Sequence, residues 1–341
     1  MNTPAHEDIR RSQLYDWLAQ VDTLKTMTDS LRPASADASF RRYFRVDTGD
    51  GKTLIAMDAP PPQEDVRPFV HVARLFADTG ITVPDILAQD VERGFLLLTD
   101  LGSTTYLKQL NPDTAHKLYI DAIEALVQLQ AHSAPGKLPE YDRELLQREL
   151  MLFPDWYLNK HRHATLDDQQ RADLDRVFDT LLANNLAQAQ VFVHRDYHSR
   201  NLMVLPTGNP GILDFQDAVY GPITYDLVSL LRDAYIEWDE EMVLDWAVRY
   251  WERARSAGLP VSSDIDMFYR DFEFMGLQRH LKVLGIFARL YHRDGKDGYL
   301  NDIPLVMHYV RKTAYRYKEF SPLIRLLDTL EEKQTGVGYT F

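Results

Sequence analysis

Apolar positions change their spacing once along this chain. Up to about residue 102 they fall in short extended runs separated by turn residues, and from Pro112 onward they recur at helical intervals over long stretches. Phe40 to Val46 is a β-prone run rich in aromatics, followed by Asp50-Gly51, a strong hairpin turn, and by a second run from Thr53 to Met57. Pro60-Pro61-Pro62 breaks the chain, after which Val66 to Asp78 reads as one helix with Val70, Ala73 and Ala77 on one side. A short strand is expected near Val83 to Ala88, and Phe95 to Leu98 is a compact apolar strand running into Thr99-Asp100-Leu101-Gly102. In the second part the spacing predicts helices over Asp113 to His132, Asp142 to Lys160, Asp167 to Ala189, Glu240 to Ala257 and Ile265 to Tyr291. One strand-rich insert interrupts them: Gln190 to Val193, Leu202 to Leu205 and Gly211 to Leu213, the last two joined by the turn Pro206-Thr207-Gly208-Asn209-Pro210. The pattern predicts an α+β chain, with a small β-rich lobe over residues 1–101 and a large, mostly helical lobe over 102–341.

Charge and composition narrow the function classes. The 38 Lys+Arg against 51 Asp+Glu give a formal net charge of −13, which argues against a nucleic-acid backbone as main partner. With 45% hydrophobic and 26% charged residues the chain has ordinary globular material for a sizeable core. It has no cysteine, so disulfides, a thiol nucleophile and a cysteine-ligated metal are excluded. Met1 to Ser12 is polar and charged, without the apolar stretch of a secretory signal, and no run approaches the ~20 apolar residues of a membrane helix. The expectation is a soluble, cytoplasmic protein acting on a small molecule, with no nucleic acid, no membrane and no obligate protein partner inferred.

The insert carries the chemistry. Between its first two strands lies His194-Arg195-Asp196-Tyr197-His198-Ser199-Arg200-Asn201, polar almost throughout, although both neighbours have the character of buried strand. Asp214-Phe215-Gln216-Asp217 follows the third strand. The protein kinase catalytic loop reads H-R-D with an Asn five places after the Asp, and a D-F-G Asp comes later. Here Asp196 and Asn201 are five apart, and a hairpin returns Asp214 toward the loop. Phosphoryl transfer needs a carboxylate to orient the acceptor hydroxyl and take its proton, and oxygen donors to hold Mg²⁺ on the nucleotide phosphates. Asp196 fits the first role, and Asn201 with Asp214 the second. The pattern predicts an enzyme, an ATP- and Mg²⁺-dependent phosphotransferase with an alcohol group as acceptor. His194 and His198 sit on a loop without the Glu of a helical zinc motif, so His194 is read as a brace for the loop and not as a metal ligand.

The stretch Val193 to Asn201, with Ile212 to Asp217, Tyr220-Gly221-Pro222 and Tyr225-Asp226-Leu227, resembles the aminoglycoside phosphotransferase and choline kinase family. That resemblance implies a bilobal protein-kinase-like fold. Three further segments, Asp37 to Val46, Leu152 to Tyr157 and Met275 to Leu290, resemble bacterial members that phosphorylate the anomeric hydroxyl of N-acetylmuramate and N-acetylglucosamine in peptidoglycan recycling. The implied partners are therefore ATP and a small sugar. Two rivals stand beside this reading: a kinase of another small acceptor, an aminoglycoside or an amino alcohol, and a nucleotide-binding regulatory pseudokinase. Cations near residues 279–289 would repel a cationic acceptor, and retention of Asp196, Asn201 and Asp214 speaks against a pseudokinase.

One kinase device is missing. The third strand of the small lobe reads Ile55-Ala56-Met57-Asp58, with Asp where a phosphate-binding Lys is expected, and the next helix has no acidic partner for it. Arg41, Arg42 and Arg45 cluster on the preceding strand, and alternation puts Arg41 and Arg45 on one face and Arg42 on the other. Arg41 is the favoured phosphate ligand, with Arg42 next and Ser39 as a donor from the small-residue loop before it. The family resemblance implies the Thr99 carbonyl and Leu101 N–H as adenine partners. On the acceptor side Arg279, His280 and Lys282 are candidates for the lactyl carboxylate of N-acetylmuramate, Trp156 for stacking on the sugar and Asp217 for a sugar hydroxyl.

Overall fold

A computed structural model describes residues 4–21, 25–35 and 40–336. The Asp50-Gly51 turn forms as its residues dictate. The Thr48 N–H donates to the Lys52 carbonyl at 2.9 Å, and Gly51 takes a left-handed φ of 80° that carries no penalty without a Cβ. In chain order the first elements are α1 (Pro4–Gln20), β1 (Thr26–Ser35), β2 (Arg42–Thr48), β3 (Thr53–Asp58), α2 (Arg67–Ala77), β4 (Ile86–Asp90), β5 (Phe95–Thr99) and α3 (Tyr106–Gln109). Then follow α4 (Ala115–Ala131), α5 (Arg143–Leu150), a π-helical stretch (Phe153–His161), α6 (Asp168–Ala187), β6 (Gln190–Val193), β7 (Leu202–Met203), β8 (Gly211–Ile212) and β9 (Val219–Pro222). The chain continues through α7 (Tyr225–Leu231), α8 (Glu240–Ser256), α9 (Ile265–Asp294), α10 (Ile303–Arg316) and α11 (Ser321–Gly336).

The chain divides into two compact units, Met1–Gln109 with Asn201–Asp217, and Leu110–Arg200 with Ala218–Phe341. The first is built on an antiparallel sheet of order β1-β2-β3-β5-β4. Its inner face, with Phe44, Val46, Leu54, Ala56, Phe95 and Leu97, packs against Leu14, Trp17 and Leu18 of α1. Burying one such large apolar side chain contributes roughly 1.5–3 kcal/mol. Asn201–Asp217, which the sequence boundary assigns to the helical lobe, packs with this first unit. Thr82 pairs with Gly211, Thr105 with Met203, and Phe215 lies 4.8 Å from Phe69 and 5.9 Å from Phe76 of α2.

The second unit is helical around α9, with β6 and β9 paired antiparallel at one end. α9 is buried along most of its length, from Phe272 through Gly285. Gly285 is required: a Cβ there would overlap the backbone of Leu152 just before the π-helical stretch. So two of the segments that resemble sugar kinases, around Leu152 and along α9, pack on each other. Among the described residues no helix is long and apolar enough to cross a membrane.

Several elements differ from the sequence reading. The single helix expected over Asp142 to Lys160 is α5, capped by Asp142 accepting the Leu145 N–H at 2.9 Å, and then a separate π-helical stretch. Pro154 has no N–H to continue an α ladder, and the turns widen around it. The strand expected over Val83 to Ala88 begins at Ile86, beyond Pro84. α1, β1, β9, α7, α10 and α11 were not foreseen.

Candidate active site

In the second unit β6 runs straight into His194-Arg195-Asp196. The backbone there is held from α7: the fully buried Asp226 carboxylate accepts the His194 N–H at 2.6 Å and the Arg195 N–H at 3.0 Å. Arg195 has φ 76°, a strained value for a non-glycine residue, so the loop keeps a shape that its neighbours must over-determine. The Asp196 N–H donates to His194 Nδ1 at 3.2 Å, which matches the bracing role read from the sequence. The Arg195 guanidinium pairs with Glu149 of α5 and lies over the Tyr141 ring. Ser199 donates its N–H to Asp233 Oδ2 at 3.0 Å, tying down the loop's far end.

Asp196 itself is half-buried. Burial pushes its carboxyl up, but Lys282, His198, Arg279 and Arg195 together hold it below the usual carboxylate range. It is ionised at neutral pH, as a proton acceptor must be. The Asp226 carboxyl behaves oppositely: burial lifts it to about 7 although the two N–H groups favour its charged form. Glu149 is buried yet ionised, because Lys282 and Arg195 outweigh its desolvation.

The three acceptor-side cations separate sharply. Lys282 of α9 is buried and donates to Glu149 Oε1 at 2.9 Å and to the Tyr225 hydroxyl at 2.9 Å. His280 is fully buried, with Nε2 3.0 Å from the Arg232 carbonyl and its ring stacked on Tyr309 of α10 at 4.8 Å. Burial pushes that imidazole down to about 3, so it is neutral and faces another part of the unit. Arg279 is only 4% exposed, and its Nε and Nη1 have no hydrogen-bond partner among the described residues. Trp156 is half-buried in the π-helical stretch, while its neighbour Tyr157 is buried and stacks on Phe153.

In the first unit the hairpin closes with the Leu213 N–H donating to the Asn201 carbonyl at 2.9 Å. It sets the Asn201 amide nitrogen 3.4 Å from Asp214 Oδ2. Asp214 also has a left-handed φ, 64°. Gln216 Nε2 donates to Asp214 Oδ1 at 2.9 Å, and Gln216 Oε1 is buried with no partner among the described residues. A carboxylate, an amide oxygen and this orphaned oxygen form a donor set that suits a hard divalent cation. Gln216 was missed in the sequence because nothing in its spacing distinguishes it. Asp217 is exposed and accepts from Gln216 Nε2 at 3.3 Å.

The arginine cluster is likewise divided. Arg41 Nη2 lies 3.5 Å from Asp214 Oδ1. Arg42 sits directly opposite Asp58 in the β2–β3 register and pairs with it, as does Arg10 of α1. The acid in the place of the expected Lys is thus fully buried between two guanidiniums. Arg45 pairs with Asp100 (Nη2 to Oδ1, 3.0 Å), which also accepts from the Thr53 hydroxyl at 2.6 Å. Ser39 lies outside the described residues. Thr99 ends β5, its hydroxyl accepting the Asp85 N–H at 2.8 Å, and the Leu101 side chain abuts Gly211.

Comparison with known proteins adds the following. Residues 30–259 match the phosphotransferase enzyme family. The N-acetylmuramate/N-acetylglucosamine kinase of Neisseria meningitidis serogroup B is 51% identical over 337 residues, covering 97% of this chain and 99% of that protein. A kinase of the same name from Pseudomonas putida is 48% identical, covering 96% of this chain and 98% of that protein. Among solved structures, choline kinase LicA from Streptococcus pneumoniae superposes with a TM-score of 0.60 over 90% of this chain and 99% of its own, at 14% identity. That likeness shows the protein-kinase-like fold.

Proposed function

Because the chain belongs to the phosphotransferase enzyme family, we propose that it is an ATP-dependent kinase of the anomeric hydroxyl of N-acetylmuramate and N-acetylglucosamine. The reaction would feed cell-wall recycling. The observation that carries the reading is the Asp196 carboxylate, at the end of an H-R-D loop clamped by Asp226 and kept ionised by the cations around it. The acceptor class is supported by curated relatives about half identical over nearly the whole chain.

Asp196 orients the C1 hydroxyl and takes its proton as the oxygen bonds to the γ-phosphorus. The bond from that phosphorus to the bridging oxygen breaks, and ADP leaves with the electron pair. Asn201 and Asp214 would hold Mg²⁺, with Gln216 Oε1 the next oxygen available. When bound, that ion neutralises charge on the phosphate oxygens. Arg41, beside Asp214, would supply the positive charge of the missing Lys, while Arg42 and Arg45 are engaged by Asp58 and Asp100. The Thr99 carbonyl and Leu101 N–H would receive the adenine. Residues 1–101 would thus serve the nucleotide, together with the hairpin at 201–217 that packs with them.

The test is ADP release with ATP, Mg²⁺ and each sugar, followed by a reducing-end assay of the product. Phosphate on C1 leaves no free aldehyde, so the product should not reduce; a reducing product, or no turnover with either sugar, rejects the assignment. Asp196→Asn should lower turnover on the order of 10²–10⁴-fold while still binding Mg·ATP, and near-normal turnover in that variant would remove it from catalysis.

A further inference from the structure

The second unit contains a buried cation without an anion. Arg279 projects from α9 one turn before Lys282, is nine-tenths buried, and has Nε and Nη1 unpartnered among the described residues. Desolvating a guanidinium costs several kcal/mol, and folded proteins meet that cost with a carboxylate or a ring of acceptors. The neighbouring acids are engaged elsewhere. Glu149 is shared by Lys282, Arg195 and Tyr141; Asp226 holds two loop N–H groups; Asp233 holds Ser199. Asp196, the proposed base, is close enough to feel the Arg279 charge, as is His198. An unfilled guanidinium therefore lies in the electrostatic surroundings of the carboxylate that would meet the acceptor hydroxyl.

We propose that Arg279 receives the carboxylate of an acidic acceptor, the lactyl group of N-acetylmuramate, and that it sets the preference for this sugar over N-acetylglucosamine. The proposal rests on the sugar-kinase reading above. Arginine suits the role because its planar fork matches both oxygens of a carboxylate. The other two cations do not compete. Lys282 already binds Glu149 and Tyr225, and His280 is neutral against a backbone carbonyl. With the neutral sugar, water takes the place of the carboxylate, so both sugars can be accepted by one site.

The test pairs a change in the enzyme with a change in the substrate. Steady-state kcat/KM is measured for N-acetylmuramate, its methyl ester and N-acetylglucosamine, on the wild-type protein, Arg279→Met and Arg279→Lys. On the wild type, esterification should cost about tenfold or more, the worth of a charge-assisted hydrogen bond. In Arg279→Met the ratio of kcat/KM for N-acetylmuramate to that for N-acetylglucosamine should fall by a similar factor, and esterification should then matter little. Arg279→Lys should recover part of the ratio. These ratios do not depend on how much of a variant is folded. If wild-type protein ignores esterification, or if Arg279→Met loses equally on both sugars, the carboxylate assignment is overturned; the second result would place Arg279 on the phosphoryl group both reactions share. If the wild type turns over neither sugar, the sugar-kinase reading fails with it.

Discussion

At the scale of single residues, the arginines of β2 show how one cluster can carry distinct tasks. Arg42 and Arg45 are each bound to a mostly or fully buried acid, Asp58 and Asp100. Removing either arginine leaves a buried carboxylate short of a partner, a loss of about 1–3 kcal/mol for such a group. Arg41 is half-buried at the edge of β2 and lies beside the proposed metal ligand Asp214. Arg41→Ala should therefore raise the KM for ATP sharply with little change in the urea midpoint of unfolding. Arg42→Ala should do the reverse, lowering the midpoint with a smaller effect on KM. Similar profiles for the two variants would mean that the cation replacing the missing Lys lies elsewhere. The pairing of Asp58 with Arg10 and Arg42 also explains why the Lys position could turn acidic: its carboxylate serves the fold of the first unit. Sequence distance hid this, because Arg10 and Asp58 are 48 residues apart.

Among the elements, α9 and the π-helical stretch depend on one another through a missing side chain. Gly285→Val would drive a branched side chain into the Leu152 backbone, and overpacking a close contact of this kind costs about 1–3 kcal/mol or more. α9 also carries Arg279 and Lys282, so a shift of that helix would move the charges around Asp196. Gly285→Val should lower both thermal stability and kcat/KM, whereas Gly298→Val, with nothing within 4 Å of the added carbon, should change neither greatly. A Gly285→Val protein of wild-type stability would show that the helix can slide aside without cost. What was legible in the sequence at this scale follows from range. The β2–β3 hairpin and the 194–201 loop are specified by neighbours in the chain, so turn chemistry and spacing reveal them. α1 was not, because its residues are mostly polar and its apolar members, Leu14, Trp17 and Leu18, crowd toward one end. Glu149, Asp226 and Gln216 were also passed over. Each gains its role from a partner brought near by folding, except Gln216, whose neighbour Asp214 is adjacent but whose orphaned oxygen only the folded hairpin shows.

For the molecule as a whole, the main surprise lies in how the polypeptide is shared between its two units. The sequence suggested one boundary near residue 101, yet the chain leaves the second unit at Arg200 and re-enters it at Ala218. The residues between are not a loose excursion, for Phe215 fills the space beside Phe69 and Phe76, and Thr82 bridges to Gly211. A ribosome that has released residue 109 has therefore not yet delivered the first unit. α2 must wait with an uncovered aromatic face until almost a hundred later residues, including most of the helices before β6, have been translated. Stalled nascent chains ending near residue 109 should be cut readily by protease at α2, and chains long enough to expose Asp217 should resist. In this protein the proposed metal ligands Asn201 and Asp214 arrive on the same segment that finishes the first unit, so synthesis cannot yield that unit complete without them.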